Sequence, residues 1–428
     1  MVVTDQVFVG HLGVSRLAAA ALGTTCRVRG SSCIASRSGS RRGLAVGAGA
    51  KPDEGSASSK GFSILEITNK LLPQGVLVQG VKLGWRSAWQ LMVRELAPQS
   101  KTGAYVRPKY SFDGRIGDAA FPAASGRYHL YLGNACGWCH RVLLTLVLRG
   151  LAGHVSVSQL TDDAEKARRG GWVFDAQNPD PVFGAQDLWE VYDTASPGFR
   201  GRCTAPLLLD KQTRRIVCNE SSDILRMLNR LQLPGATHVD LYPEALHGQI
   251  DELNDMIYED INNGVYRSGF ATTQAAYDDA QTGLYRALGE VEARLSKTRF
   301  LLGDKCTECD VRLYPTIARF DAVYATIFKC SRKRISDYPH LTIWLKDMYQ
   351  IKVPGSSLQV SDTLDVDAAR RSYSTNLFPL NPSGIIPSGP TAADLHLDDP
   401  VQRGSRELTD MFHQTLHTQA LQTNVLIA

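Results

Sequence analysis

The stretch that decides the fold is Asn134-Ala135-Cys136-Gly137-Trp138-Cys139-His140-Arg141. Before it, Arg127–Leu132 alternates as a β-strand does, and Cys136–Leu148 places its apolar residues on one face of a helix. A cysteine therefore stands where a strand passes into a helix. Backbone N–H groups and the helix dipole favour an anion at that position, so the pKa of the thiol falls. Cys136 is the candidate nucleophile.

The segments that follow complete an α/β unit. Val155–Leu160 suits a second strand, Pro206–Asp210 and Arg215–Cys218 suit a hairpin, and Asp223–Leu231 suits a helix. The order β-α-β and then β-β-α is that of the thioredoxin fold. From Pro243 onward the pattern is helical, over Leu246–Ile261, Gln274–Leu295, Asp310–Phe328 and Leu341–Gln350. The predicted fold class is α/β plus all-α, a thioredoxin-like domain followed by an all-helical domain.

Composition divides the chain further. We expect a transit segment at 1–52, an extended lead-in at 53–126 with one helix around Trp85–Leu96, and a thioredoxin-like domain at 127–235. A helical domain at 243–350, an extension at 351–390 that packs near the active site and a tail of unknown role at 391–428 complete the prediction.

Charge is unevenly distributed along the 428 residues. The net charge is +4, but the first 52 residues carry seven basic side chains against Asp5 alone, so the rest is close to neutral. A neutral body gives no reason to expect nucleic acid as a partner, and no apolar run reaches membrane-spanning length. The acid-poor, Ser-rich start without an apolar stretch is typical of an organelle transit peptide. The alternative is a disordered tail with no address.

Nine cysteines are too few for a disulfide scaffold of this length, which favours a reducing compartment. Four form two C-x-x-C pairs, Cys136/Cys139 and Cys306/Cys309. Cys136-to-His140 also matches c-type haem attachment, and the two pairs together could supply zinc ligands. Neither alternative suits the surroundings, because no haem domain is indicated and the pairs fall in different predicted domains. A buried, inert cysteine is the remaining structural alternative.

Two further motifs fit a peptide-like thiol. Thr204-Ala205-Pro206 precedes a strand at a position where a cis proline can offer its backbone to a ligand. Glu220-Ser221 at a helix start combines a carboxylate for an ammonium group with N–H donors for a carboxylate, or it is an ordinary cap. By contrast, the spacing of Thr307 and Asp310 predicts a structural capping box.

The chain from about Gly61 to Pro390 resembles the glutathionyl-hydroquinone reductases, the Xi class of glutathione transferases, in their chloroplast-type form. The resemblance is carried by NACGWCHR, GGWVF, GRCTAPLLLDK, CNESSDILRMLN, DLYPE, IDELNDMIYEDINNGVYRSGFATTQAAY, LLGDKCTECDVRL, RFDAVY and NPSGIIPSGP. It implies a glutathione-transferase helical domain, removal of glutathione from glutathionyl-hydroquinones, glutathione as co-substrate without a metal, and a homodimer that pairs through the helical domain. It also implies a chloroplast location, with a mitochondrion as the alternative.

The resemblance also implies roles for individual residues. Cys136 would take the glutathionyl group as a mixed disulfide, Tyr266 would donate a proton to the quinol, and Tyr324 and Tyr373 would lower the pKa of the cysteine. The residues that would contact glutathione are Trp172, Arg202, Cys203, Thr204, Ala205, Glu220 and Ser221.

The chain departs from the family pattern at several positions. Gly137 and Cys139 stand where C-P-W-A-H-R has proline and alanine, Ala205 replaces a valine, and a tyrosine pair becomes Ser372-Tyr373. Cys139 is thus a possible resolving thiol. The C-G-W-C motif therefore keeps a second function open, a glutaredoxin- or thioredoxin-like dithiol oxidoreductase. A third, a binding protein that has lost activity, is disfavoured because Tyr266, Trp172 and Glu220-Ser221 are all present.

Overall fold

The computed structural model describes residues 74–106, 110–133 and 135–415. The predicted transit segment at 1–52 and the last part of the tail, 416–428, lie outside the described residues. Residues 74–89 fall in one compact unit and residues 90–415 in another. The site lies entirely within the second unit.

The described residues form seven strands and eleven α-helices of four residues or more. The strands are β1 (Tyr128–Gly133), β2 (Ser156–Asp162), β3 (Trp172–Val173), β4 (Leu207–Asp210), β5 (Arg215–Cys218), β6 (Val239–Asp240) and β7 (His413–Gln414). The helices are α1 (Gln74–Leu96), α2 (Gly137–Leu148), α3 (Leu188–Ala195), α4 (Ser221–Arg230), α5 (His247–Met256), α6 (Asn263–Gly269), α7 (Gln274–Leu295), α8 (Glu308–Arg319), α9 (Pro339–Tyr349), α10 (Val366–Asn376) and α11 (Leu408–Met411). Two π-helical turns, Ile257–Asn262 and Phe320–Tyr324, continue α5 and α8.

Five strands form the central sheet, in the order β3-β2-β1-β4-β5. β1 and β2 run parallel with His129 opposite Ser156, while β4 runs antiparallel to β1 with His129 opposite Leu209. The parallel pair needs a crossover, and α2 supplies it. This is the thioredoxin arrangement, and helices α5 to α9 follow it, so the predicted fold class is confirmed.

Helix α2 forms the centre of the core. Every residue from Trp138 to Leu148 is buried, because the helix packs against α4 and also against α8 of the helical half. Its first residue, Gly137, follows Cys136, whose extended backbone (φ −74°, ψ 118°) makes Cys136 the N-cap. The fold therefore buries the strand-to-helix junction between its two halves.

Side-chain caps set the starts of two helices in the helical half. Thr273 accepts a hydrogen bond from the Ala276 N–H at 3.2 Å at the start of α7, and the Thr307 N–H donates to Asp310 at 3.0 Å before α8. Caps of this kind satisfy N–H groups that have no partner within the helix. The predicted capping box at Thr307 is confirmed. Among the described residues, no helix is long and apolar enough to cross a bilayer.

The predicted helix around Trp85–Leu96 is confirmed, but the prediction of an extended lead-in is wrong for residues 74–84, which are also helical. Helix α1 has 23 residues and begins well before the predicted start at Trp85. Gly75, Gly80 and Gly84 interrupt its apolar pattern, and each glycine costs about 1 kcal/mol in a helix interior, which hid the helix. Further along, Gly114 donates to Val217 at 2.9 Å, so residues near 114 lie along the β5 edge of the sheet.

The sequence also gave no sign of β3, α3 or α10. β3 is only two residues long, and a strand that short has no measurable alternation. α10 lies within the predicted extension and is capped by Asp365, which accepts from the Ala368 N–H. β7 pairs with β6, so a part of the predicted tail contacts the body of the protein.

Candidate active site

Cys136 is buried at the start of α2, with 1% of its surface exposed. Burial opposes ionisation of the Cys136 thiol. Cys139 favours it, because both its thiol and its backbone N–H donate to the Cys136 thiolate. The pKa of Cys136 is lowered well below its ordinary value, and these two donors contribute to that shift. A thiolate is the reactive form of cysteine in disulfide exchange and in attack on a thioether. The geometry therefore fits the predicted nucleophile.

Cys139 contacts the nucleophile one helical turn along α2. Its Sγ accepts a hydrogen bond from the Gly133 N–H at 3.2 Å and its thiol donates to Cys136. Burial, and then this donation to Cys136, raise the pKa of Cys139 well above the ordinary thiol value. Cys139 is therefore the thiol and Cys136 the thiolate of the pair, and both are reduced. A disulfide between them stays a prediction.

Three tyrosine hydroxyls meet beside this thiol pair. The Tyr266 hydroxyl lies 3.0 Å from that of Tyr373 and 3.3 Å from that of Tyr324, and the last two are 3.5 Å apart. They come from α6, the π turn after α8, and α10, so three separate elements build the cluster. Burial raises the pKa of all three, which keeps the hydroxyls protonated and able to donate.

Trp138 connects the cysteine turn to the tyrosines and to a buried arginine. Its ring stacks on Tyr266 with 6.3 Å between ring centroids, and the Arg141 guanidinium lies 4.7 Å from the Trp138 ring centroid. Arg141 also donates to the Ser221 hydroxyl at 2.6 Å and forms an ion pair with Glu220 at 3.3 Å. This joins the nucleophile's helix to the predicted glutathione-binding motif on α4.

Glu220 also caps its helix, as the alternative prediction had it. Its carboxylate accepts from the Ser222 N–H at 3.0 Å at the start of α4. A carboxylate, a guanidinium and a helix start thus lie together, which suits a ligand that carries both an ammonium and a carboxylate group. Arg141 was missed in the sequence, although it closes the very motif that carries Cys136. Its role became visible only when the fold placed it against Ser221.

The loop before β4 and the indole of Trp172 complete the predicted binding residues. The Ala205–Pro206 bond is cis, as the sequence suggested, and Arg202 is half-buried while Cys203 is buried. The carbonyl of Thr204 accepts from the Tyr192 hydroxyl at 2.8 Å, which fixes the loop.

Trp172 is fully buried, and its ring packs closely against Gly133, where a Cβ atom would lie 2.1 Å from the ring. Its indole N–H finds no acceptor among the described residues. A buried donor of this kind is usually satisfied by a ligand or water. Trp172 therefore fits the predicted contact with glutathione.

A groove of about 490 Å³ opens beside the nucleophile. Ala135, directly before Cys136, lines it together with Asp162 at the end of β2 and with Ser372 and Asn376 on α10. Asp162 accepts hydrogen bonds from Ser372 and from Asn376, the latter at 2.8 Å. Ser372, one of the departures from the family pattern, thus fastens the helix that carries Tyr373 to the sheet.

The second C-x-x-C pair has a different environment. Cys306 and Cys309 are fully buried near the start of α8, and burial raises the pKa of both thiols. Cys306 contacts the Met348 sulfur at 3.9 Å, as an apolar residue would. No cluster of three or more His, Cys, Asp or Glu side chains suited to a metal occurs in the part of the chain that the structure describes.

Comparisons with known proteins agree with this arrangement. Residues 135–231 match the N-terminal domain of glutathione S-transferases, and residues 274–347 match their C-terminal domain. Over 320 residues the chain is 41% identical to the glutathionyl-hydroquinone reductase PcpF of Sphingobium chlorophenolicum, covering 74% of this chain and 96% of that protein.

Solved structures give the same result. The glutathione-bound structure of YqjG, a glutathione transferase homologue from Escherichia coli K-12, is 40% identical with a TM-score of 0.62, covering 71% of this chain and 98% of that one. The Xi glutathione transferase of Phanerochaete chrysosporium is 37% identical with a TM-score of 0.63, covering 69% and 95%.

Proposed function

The chain belongs to the glutathionyl-hydroquinone reductases, the Xi class of glutathione transferases, and we propose that it removes glutathione from glutathionyl-hydroquinones by way of Cys136. The observation that carries the proposal is a low-pKa thiolate close enough to a buried cluster of hydroxyl donors to raise the pKa of each hydroxyl. Such a pair suits cleavage of a thioether on a phenolic ring, because one group attacks sulfur while another can protonate the carbon that sulfur leaves.

The first step breaks the bond between the ring carbon and the glutathione sulfur. The Cys136 thiolate attacks that sulfur and forms the mixed disulfide, and the bonding electron pair stays with the ring carbon. Tyr266 supplies the proton, so hydroquinone leaves with a C–H bond in place of C–S. The ring carbon is reduced and the two sulfurs are oxidised to a disulfide.

The second step restores the enzyme. A second glutathione gives its thiol proton to the Tyr266 phenolate that the first step leaves, and its thiolate then attacks the glutathionyl sulfur of the mixed disulfide. Glutathione disulfide leaves, and Cys136 returns as thiolate. Tyr324 and Tyr373 can donate hydrogen bonds to the departing Cys136 sulfur, because they belong to the same hydroxyl cluster. Cys136 needs no other reductant than glutathione.

Glutathione binding follows from the surrounding contacts. Glu220 and Ser221, held by Arg141, suit the charged γ-glutamyl end, while the Cys203–Ala205 loop offers backbone groups to the cysteinyl part. The buried Trp172 N–H supplies one more donor. The quinol ring would approach through the groove that Ala135 and Ser372 line.

A dithiol oxidoreductase is the second candidate, and the hydrogen bond between Cys139 and Cys136 favours it. Sulfurs in such contact need little movement to form a disulfide. Cys139 could then displace glutathione from the mixed disulfide internally.

The proposal also includes the cellular location and the oligomeric state of the protein. The basic, acid-poor residues 1–52 support import into a chloroplast, as in the chloroplast-type form of the family, with a mitochondrion as the alternative. A homodimer that pairs through the helical half is proposed from the resemblance. N-terminal sequencing of the native protein and light scattering of the purified protein test these two statements.

The proposed activity is tested with purified protein, a glutathionyl-hydroquinone and glutathione, with hydroquinone and glutathione disulfide quantified by chromatography. We expect both products in equal amounts, and neither above background with Cys136→Ser. Turnover by Cys136→Ser at the wild-type rate, or no hydroquinone from the folded wild type, would refute the proposal.

A further inference from the structure

A buried cation lies next to the nucleophile without a carboxylate to neutralise it. Arg319, the last residue of α8, is 0% exposed. No Asp or Glu oxygen among the described residues lies within 4 Å of its guanidinium, whereas Arg141 on the nearby α2 is paired with Glu220. A buried charge is costly unless other groups compensate it, and here neutral acceptors do so, among them the Pro315 carbonyl at 3.1 Å from Nη1.

The guanidinium holds both ends of the cysteine turn. Its Nε donates to the Ala135 carbonyl at 3.1 Å and its Nη1 donates to His140 Nδ1 at 2.8 Å. Ala135 directly precedes Cys136, and His140 follows it by one helical turn. The helical half of the protein thereby fixes the backbone on either side of the nucleophile.

The histidine in this network is locked in one tautomer. Burial and the neighbouring Arg319 lower the pKa of His140 well below its ordinary value, so the ring stays neutral and its Nδ1 accepts. Nε2–H then donates to the Thr363 hydroxyl at 2.8 Å, and Thr363 donates to the Val360 carbonyl at 2.6 Å. Each group in this chain donates to the next one, starting from Arg319, and the His140 ring is neutral. The histidine therefore does not neutralise the cation.

The guanidinium also acts on Tyr324, one of the three clustered hydroxyls. Arg319 Nη2 is buried and has no acceptor among the described residues. Burial raises the pKa of Tyr324, and Arg319 works against that increase. The Tyr324 hydroxyl lies 3.7 Å from the point where a Cβ atom on Gly137 would sit, directly at the nucleophile's helix start.

We propose that Arg319 is a positioning residue of this reaction, whose charge strengthens Tyr324 as a hydrogen-bond donor to the Cys136 thiolate and whose N–H groups fix the turn from Ala135 to His140. The inference rests on the proposed function in taking Cys136 as the nucleophile. The other titratable groups near the thiolate are Cys139 on α2, Tyr266 on α6 and Tyr373 on α10, all uncharged as protonated groups. Among these groups Arg319 is the one that carries a positive charge, and it acts on Tyr324.

The test measures the rate of iodoacetamide labelling of Cys136 against pH, read by mass spectrometry on its peptide. With Arg319→Gln we expect the midpoint of this labelling curve to rise by roughly one pH unit, which leaves about tenfold less Cys136 thiolate at pH values below the midpoint. Arg319→Lys keeps the charge and should stay close to wild type. Arg149→Gln is the matched control, since Arg149 is also fully buried, donates to the carbonyls of Leu231 and Val239, and lies at the other end of α2.

A second measurement separates this role from a merely structural one. In a Tyr324→Phe background, Arg319→Gln should shift the midpoint by much less than in the wild type, because the hydroxyl through which the charge acts is gone. An unchanged midpoint in folded Arg319→Gln, or the same shift with Arg149→Gln, would overturn the inference. If Arg319→Gln does not fold, the folded Arg319→Lys variant is measured instead. A rise of a full pH unit in its labelling midpoint would count against the inference. Labelling needs no turnover, so it can succeed even if the proposed hydroquinone release fails.

Discussion

The chain contains two C-x-x-C pairs of identical spacing, and the structure gives them opposite chemical character. Both pairs are buried and both lie at the start of a helix, α2 for Cys136/Cys139 and α8 for Cys306/Cys309. The pKa of Cys136 is lowered, whereas burial raises those of Cys306 and Cys309, with the nearby Asp310 carboxylate adding to the increase.

The difference shows that a helix start alone does not make a reactive thiol. At α8 the cap position is taken by Thr307, and Asp310 supplies negative charge in the first turn. At α2 the first turn contains no acidic residue, Cys136 is itself the cap, and hydroxyls and a cation surround it. Neighbouring charge and donors, rather than the spacing of the cysteines, decide which pair reacts.

Replacing the nucleophile gives the largest effect. Cys136→Ser should lower hydroquinone release by a factor on the order of 10³ or more, because the hydroxyl is not ionised at neutral pH and no mixed disulfide can form. Cys309→Ser is the matched control, since its hydroxyl can donate to the Ile250 carbonyl that now lies 3.5 Å from the sulfur. Steady-state rates of the two variants compare the pairs directly, and equal losses would abolish the distinction.

Removing the proton donor should have the next largest effect. Tyr266→Phe loses the hydroxyl that we propose protonates the ring carbon, and loss of a general acid typically costs about 10²–10⁴ in rate. Mixed-disulfide formation between Cys136 and oxidised glutathione should persist, because that exchange needs no carbon protonation. Turnover equal to wild type would assign the proton to another group.

Cys139→Ala should change activity only severalfold. It removes a hydrogen bond to the thiolate, which raises the pKa of Cys136, so labelling of Cys136 should shift to higher pH. The stability that this hydrogen bond contributes to the folded protein is lost as the pH falls and Cys136 becomes protonated. A dithiol enzyme needs both sulfurs, so complete loss of turnover in Cys139→Ala would favour the oxidoreductase.

The smallest effect concerns the backbone of the active turn. Gly137→Pro should stabilise the protein by about 0.4–1 kcal/mol, because Cys136 already has the extended conformation that a following proline requires. A Cβ at 137 would meet only ordinary contacts, at 3.7 Å and 3.8 Å. Gly133→Ala, whose Cβ would collide with Trp172, should instead destabilise. Denaturant unfolding of both variants compares them, and a destabilised Gly137→Pro would contradict this reading.

Much of the fold was predictable because strong local patterns coincide with its elements. Gln274–Leu295 was predicted with both ends correct, since Thr273 caps a long helix with a regular apolar face. The thioredoxin core followed from the order of its strands. The part of α1 before Trp85 was not predictable, because glycines dilute its pattern, and the π turn at Phe320–Tyr324 leaves no local signal.

The site was predictable in its reactive residue and in the residues that a resemblance could supply. Cys136 follows from the strand-to-helix junction, and the resemblance named Tyr266 and Tyr373, which the fold brings to 3.0 Å from sequence positions far apart. Arg319 could not be found in this way. Its significance depends on which side chains surround it, with no carboxylate close by among residues 74–106, 110–133 and 135–415, and this is a property of the folded structure and not of any motif.

The most direct test of the central claim is a single-turnover experiment on the Cys139→Ala variant. The protein is mixed with one equivalent of a glutathionyl-hydroquinone without free glutathione, then quenched in acid, digested and analysed by mass spectrometry. If Cys136 is the nucleophile, we expect one glutathione on Cys136, none on Cys306 or Cys309, and one equivalent of hydroquinone released. Hydroquinone released without an adduct on Cys136, or an adduct on the second pair, would contradict it.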